Sequence, residues 1–403
     1  MKILLVTESV PFPPLNGREL PIAGLFEQLC KRHEVDLLVL QDARKKPTGK
    51  VPAVPAAIRM LGIVNIRPWS LFQRLQYAIR TGCHALSAYH FPVQDIRKLT
   101  GNTVYDFAWI SPVLMYGLAT ACRDQHIHLF HKLAFGINDV KTTLYRDGMN
   151  EILHTRIFNR TLFTQWMLSF LMKREEQHYF KLADLVHVQT TAEAAKAKNI
   201  LPGTRIVVAP NGIKTNLFGC TANGIGSGNR ILYMTHLDGG RSGESEWFIK
   251  KVWPRIAGRL PGAMLLIVGR PPKQIPAFIE NNRNIIINGF ADDLVQLFNS
   301  VRLVVVPTFH GTGLINRIAD ALAAGLPVVS TPQAIATFPG LQHRVHVLSA
   351  KNAEAFADAV VRLYNDEALR RTLSQQGRVY AQQFPDWVQS AQLVEQAMLE
   401  LVQ

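Results

Sequence analysis

The sequence has little with which to build a covalent or metal framework. Its four cysteines, Cys30, Cys83, Cys122 and Cys220, are far apart and form no CxxC pair. That spacing excludes a disulfide-rich scaffold and a cysteine zinc site, and it fits a reducing, cytoplasmic compartment. No stretch reaches 18 uncharged apolar residues, so no membrane-spanning helix is expected. The first residues, MKILLVTESVPFPP, lack the apolar core and small-residue cleavage site of a signal peptide. No Asp-x-Asp is present to hold a divalent cation, so neither a metal nor a cofactor is expected. Zinc-finger and RNA-recognition signatures are missing too, which argues against a nucleic-acid partner. Acidic residues are scarce: 30 stand against 44 Lys and Arg, for a net charge of +14. The excess is spread along the chain, with 23 basic and 15 acidic residues up to Thr190 and 21 and 15 after it. This distribution fits attraction to an anionic membrane surface better than a nucleic-acid-binding tail, a plain solvated surface being the alternative.

What is present is a repeated alternation of apolar runs and amphipathic segments, the pattern of parallel sheets covered by helices. The 403 residues are enough for two such domains, each with its own core. In the first half, Lys2 to Thr7, Val35 to Leu40, Phe107 to Ile110, Leu185 to Val188 and Ile206 to Val208 read as strands, and Glu19 to Arg32 as a helix. In the second, strands are expected at Ile231 to Met234, Ala263 to Val268, Ile285 to Asn288, Leu303 to Val306 and Pro327 to Ser330. The helices between and after them are Glu246 to Arg259, Asp293 to Asn299, Ile315 to Ala324 and Ala353 to Asn365. The Gly/Ser/Asn-rich stretch Gly219 to Asn229 reads as a loop just inside the second domain. Two segments, Arg67 to Arg80 and Leu162 to Lys173, are amphipathic with aromatics beside basic residues; such helices lie in a membrane interface or face a core.

The most informative run is PTFHGTGLINRIADALAAGLPVVST, Pro307 to Thr331. A strand enters the loop Gly311-Thr312-Gly313, and a helix opens at about Leu314. Free amides and the positive dipole end at such a helix start suit a phosphate or sugar hydroxyls. Arg317, one turn in, has the geometry to neutralise a diphosphate, and Asp320 shares its face three residues on, where a carboxylate can accept a ribose diol.

This run resembles the donor-binding signature of retaining glycosyltransferases of family 4, in which two glutamates bracket a Gly-rich loop ahead of an Ala-rich helix and a Gly-x-Pro-Val-Val strand. The segment from Asp320 to Val329 matches the second part. Pro210-Asn211-Gly212-Ile213 resembles the family's Asn-Gly-Val turn. Trp247-Phe248, Val252-Trp253-Pro254 and Leu266-Ile267-Val268-Gly269 resemble a subgroup that builds bacterial polysaccharides. Gly289-Phe290 ahead of Asp292-Asp293, Phe384-Pro385-Asp386-Trp387, and Pro11 to Gly17 with Arg18 also agree, in the right order. Two departures stand out. Thr312 occupies the place of the first glutamate, and the stretch His236 to Gly243 offers Arg241 without the family's matching Lys.

The resemblance implies a glycosyltransferase-B fold: two Rossmann-like α/β domains facing a central cleft, 1–194 for the acceptor and 195–385 for the donor, with the helix 386–403 returning to the first. It implies transfer from a nucleotide diphosphate sugar, the co-substrate, to an acceptor hydroxyl on a glycan or lipid-linked glycan, with retention and without a metal. Donor contacts would come from Gly17, Arg241, His310, Gly311, Thr312, Gly313, Leu314, Arg317 and Asp320. His128, His131 and Asp139 would act from the first domain, where a neutral imidazole can take a proton or bind a sugar hydroxyl. Domain closure about a linker near residue 195 would exclude water. The protein is expected in the cytoplasm, peripheral on the inner face of the membrane. The alternatives are a catalytically degenerate member of the fold, kept open by Thr312, and a nucleotide-sugar epimerase, for which carboxylates are too few.

Overall fold

In the computed structural model the described residues are 1–14, 17–44, 53–83, 88–111, 115–137, 140, 142, 160–200, 203–220, 228–235, 237, 242–269, 272, 274–280, 282–291, 293–309 and 314–402. The chain divides into two units, Met1–Gly212 with Trp387–Gln403, and Ile213–Asp386.

The first unit is built on strands β1 Lys2–Thr7, β2 Glu34–Asp42, β3 Ile58–Pro68, β4 Tyr89–His90, β5 Tyr105–Ile110, β6 Phe130–Gly136, β7 Leu185–Val188 and β8 Ile206–Val208. They lie in the order β4-β3-β2-β1-β5-β6-β7-β8, parallel except for β4. Helices α1 Glu19–Leu29, α2 Leu71–Thr81, α3 Val93–Leu99, α4 Gly117–Asp124, α5 Arg160–Phe180 and α6 Thr191–Ile200 belong to it. A strand covered on both faces is apolar at every position, and β1 is buried from Ile3 to Thr7. Successive side chains part onto opposite faces. Leu4, Val6, Leu38 and Ile110 join one core, while Ile3, Leu5, Leu37 and Trp109 join the other.

The second unit repeats the plan with β9 Arg230–Met234, β10 Met264–Val268, β11 Ile285–Ile287, β12 Leu303–Val306, β13 Val328–Ser330 and β14 Leu348–Ser349, in the order β11-β10-β9-β12-β13-β14. Its helices are α7 Ser242–Trp247, continued by a π turn at Phe248–Val252 into α8 Trp253–Arg259, then α9 Ala277–Glu280, α10 Leu294–Asn299, α11 Asn316–Ala323, α12 Pro332–Ile335, α13 Ala353–Asn365 and α14 Glu367–Ala381. Val304 and Val306 face α11 in one core, and Leu303 and Val305 face α13 in the other.

The last helix, α15 Trp387–Val402, belongs to the first unit, where Ala391, Val394 and Met398 pack with Ile22, Leu25 and Phe26 of α1. A Cβ on Gly24 would lie 2.3 Å from the Trp387 ring, so the absence of a side chain there is what lets the two helices meet.

Three sequence expectations change. The division falls at 212/213 rather than 194/195, because α6 and β8 continue the first sheet: Val186, His187 and Val188 pair with Ile206, Val207 and Val208. The helix expected from Glu246 starts earlier, at Ser242. An unforeseen eleven-residue strand, β3, occupies Ile58–Pro68, so that Arg67 falls inside a strand and the amphipathic helix begins only at Leu71. Of the loop read at Gly219 to Asn229, residues 221–227 lie outside the described residues.

Candidate active site

In the second sheet the strand order turns around between β9 and β12: β10 and β11 lie to one side, β13 and β14 to the other. Adjacent helices leave on opposite faces at such a point and open a crevice beyond the carboxyl ends of the two strands, where open α/β sheets take their ligands. The expected donor residues Arg317 and Asp320 stand at this crevice. In α11, Ile318, Ala319, Ala321 and Leu322 are buried in the core, which turns the i, i+3 pair Arg317 and Asp320 to the other side of the helix. The Arg317 guanidinium spans the crevice. It donates through Nη1 to the Met234 carbonyl at the end of β9, and through Nη2 to Thr308 Oγ1 beyond β12, at 3.2 Å. Thr308 is fixed in turn, its carbonyl accepting from Thr331 Oγ1 after β13.

Asp320 lies beside this fork, partly buried. Burial pushes its carboxyl above the usual aspartate value, and Lys214 opposes the rise from 3.9 Å. A carboxylate held where ionisation is costly, with Lys214 beside it, suits a binding site better than a stabilising ion pair. The N-cap of α11, Ile315, makes no side-chain cap hydrogen bond. Leu314, another expected contact, is half-buried just ahead of it.

Two residues here were not anticipated. Lys214 sits one position beyond the Pro210-Asn211-Gly212-Ile213 turn, outside the motif that carries the family resemblance. Glu244 is buried in α7 and accepts from the Phe309 backbone N–H at 2.9 Å, anchoring the strand exit that leads into 310–313. Reading the helix from Glu246 hid it. Arg241, His310, Gly311, Thr312 and Gly313 lie outside the described residues, as does Asp139.

The first unit departs from expectation. His128 and His131 touch, Nε2 to Nδ1 at 3.3 Å, and both are exposed. His131 is the second residue of β6, whose Phe130 pairs with Tyr105 at the start of β5. Both histidines therefore stand at the amino edge of a parallel sheet, away from its carboxyl ends. The strand begins at Phe130, after His128, so the site role expected of these two residues has no support in their position. Gly17 lies at the carboxyl side of β1 in an exposed turn before α1, with open space around it.

Near the carboxyl ends of β5, β6 and β7, Trp109, Ser111, Gly136 and His187 line a cavity of about 10 Å³, the size that holds about one water. His187 faces the Ala209 carbonyl through Nε2 at 2.9 Å, and burial lowers its pKa to about 4, so the ring is neutral at pH 7.

Comparison with known proteins agrees with this layout. The family described as glycosyl transferases group 1 matches residues 228–366, inside the second unit. A 102-residue stretch is 28% identical to the capsular polysaccharide biosynthesis glycosyltransferase CapM of Staphylococcus aureus, covering 25% of this chain and only 27% of that protein. Sucrose-phosphate synthase from Thermosynechococcus elongatus superposes with a TM-score of 0.70 at 17% identity, over 100% of this chain and 99% of its own. Anabaena Alr3699/HepE, solved in complex with UDP and glucose, gives 0.62 at 16% identity, over 99% of both chains. The fold is glycosyltransferase-B, as the sequence resemblance implied.

Proposed function

We propose that this chain, with a group 1 glycosyl transferase segment on a glycosyltransferase-B fold, moves a glycosyl group from a nucleoside diphosphate sugar to an acceptor hydroxyl. The acceptor is a glycan or lipid-linked glycan, in line with the capsular polysaccharide biosynthesis of CapM, and the reaction retains the anomeric configuration. The observation that carries this reading is the Arg317 fork across the strand-order reversal, with Asp320 and Lys214 beside it.

In this reading the ribose diol donates to the Asp320 carboxylate, replacing the hydration that burial has removed. Lys214, Arg317 and the amides at the start of α11 meet the diphosphate, so charge building on the leaving group finds donors already in place. Glu244 holds Phe309 and with it the entry to the Gly-rich loop.

The test is calorimetric titration with uridine, guanosine, adenosine and thymidine diphosphates, followed by product formation with the matching sugar nucleotide. One nucleotide should bind, and both Asp320→Asn and Arg317→Ala should weaken it roughly ten- to a hundredfold, the loss expected for a charge-assisted hydrogen bond. Unchanged affinity in both variants would remove the donor from this crevice. Tight nucleotide binding without turnover on any acceptor would favour the degenerate reading that Thr312 leaves open.

A further inference from the structure

Helix α2 is inverted. It has no buried residue, and its apolar side chains Leu71, Phe72, Leu75 and Ile79 are 84%, 67%, 55% and 76% exposed. At 100° per residue these four fall within about 100° of arc, a single stripe. Tyr77 lies on the opposite side. It is the half-buried attachment point, with its ring edge-on to Trp69 at 5.4 Å and its hydroxyl bonded to Tyr179 of α5. The helix thus holds the protein with its polar side and shows its apolar side to solvent, the reverse of an ordinary surface helix.

The helix is also finished at both ends without help from a core. Ser70 and Gln73 form a capping box, and Gly82, at φ +65°, closes the other end by donating to the Ala78 carbonyl at 2.8 Å. A helix of this length is marginal alone, so these caps and Tyr77 keep it formed while its apolar stripe stays uncovered. On α5, Trp166 and Phe170 stack and are exposed, and Arg174 lies 4.8 Å over the Phe170 ring. Arg174 in turn contacts Gly82, so this second apolar strip leads to the end of the first.

Charge identifies the partner. Residues 43–94 contain eight Lys and Arg and not one Asp or Glu. Arg80, exposed, flanks the stripe, placed to let its stem cover apolar surface while its head reaches outward. A two-fold interface between copies would set this segment, which carries no carboxylate of its own, against itself. An anionic lipid surface takes both features together, apolar side chains below the headgroups and guanidinium groups among them.

We propose that α2 is a membrane-docking helix, which lays Leu71, Phe72, Leu75 and Ile79 into an anionic bilayer interface with the α5 aromatics beside it. Docking stands on this helix alone. Only its consequence, an acceptor presented at the lipid surface, rests on the transferase reading.

The experiment is co-sedimentation of the full chain with vesicles of phosphatidylcholine alone, or mixed with phosphatidylglycerol. The chain should sediment with the mixed vesicles at low salt, release as salt rises, and ignore the neutral ones. Phe72→Asp with Ile79→Asp should weaken partitioning roughly tenfold or more for each residue. Arg67→Glu with Arg80→Glu should abolish the preference for anionic lipid. Both pairs alter exposed side chains, so circular dichroism and nucleotide affinity without vesicles should match the parent protein, and failure of docking stays separable from failure of the transferase reading. A parent chain left in the supernatant at low salt would overturn the proposal. So would an aspartate pair that sediments unchanged, or one that converts a dimer, seen by light scattering, into a monomer.

Discussion

Asp320 and His187 are both residues whose burial displaces their titration, and the two displacements run in opposite functional directions. For Asp320 the folded-state pKa is raised, so the contribution to stability is complete at low pH and is lost as pH rises through the folded value. Wherever the carboxyl is ionised it therefore weakens the nucleotide-free fold, and Asp320→Asn should raise the melting temperature most at the alkaline end of the pH range while losing nucleotide affinity. Scanning calorimetry with and without nucleotide checks both signs. A lower melting temperature in the free variant would show that Lys214 outweighs desolvation. For His187 the folded-state pKa is depressed to about 4 from 6.5, so its stabilising contribution is full above pH 6.5 and disappears as pH falls toward 4. That interval corresponds to about 3 kcal/mol for so deeply buried a ring. His187→Gln, which keeps a donor for the Ala209 carbonyl, should flatten stability between pH 6.5 and 4.5 in denaturant titrations. The sequence led to Asp320 because a helix after a Gly loop has a definite periodicity. It was silent on His187 and Glu244, whose significance comes from what lies across the sheet or loop from them. For His128 and His131 it gave residue type without register, and a strand starting at Phe130 puts both at the wrong edge.

At the scale of elements, parallel strands were legible because burial on both faces makes them apolar throughout, as in KILLVT and LVVV. β3 was not, because its exposure alternates irregularly along IRMLGIVNIRP and its pairing with β2 is interrupted after Leu37. Helix–helix contacts leave even less trace in sequence. The meeting of α1 and α15 depends on Gly24, which reads as an ordinary helix glycine until the Trp387 ring is seen against it. Gly24→Ala should overpack this contact and destabilise the first unit by about 1–3 kcal/mol, despite the better helix propensity of alanine. Urea denaturation gives the number, and restored stability in Gly24→Ala with Trp387→Leu would confirm the cause.

For the whole molecule, the chain leaves the first unit after Gly212 and returns to it at Trp387. Ile213 donates to the Pro385 carbonyl at 3.0 Å and bridges to Asp386, so exit and return are tied together within the second unit. Protection from hydrogen exchange should follow the cores rather than the chain: amides of α15 should match those of α1 and β1, not those of the neighbouring α14. Nucleotide should then raise protection around β9, β12 and α11. Exchange of α15 in step with α14 would contradict the division into two cores.

The placement of α15 also sets an order of events on the ribosome. The apolar face formed by Ile22, Leu25 and Phe26 of α1 is made before the intervening residues 213–386, and its covering helix only after them. At about 5–20 residues per second that intervening stretch alone takes roughly 9–35 seconds. Throughout that interval the nascent first unit carries an uncovered hydrophobic groove, a target for trigger-type chaperones or for neighbouring nascent chains. A chain stopped at Asp386 never leaves that condition, and its product should be recovered from the insoluble fraction, whereas supplying the missing helix as a separate peptide during synthesis should return part of it to solution.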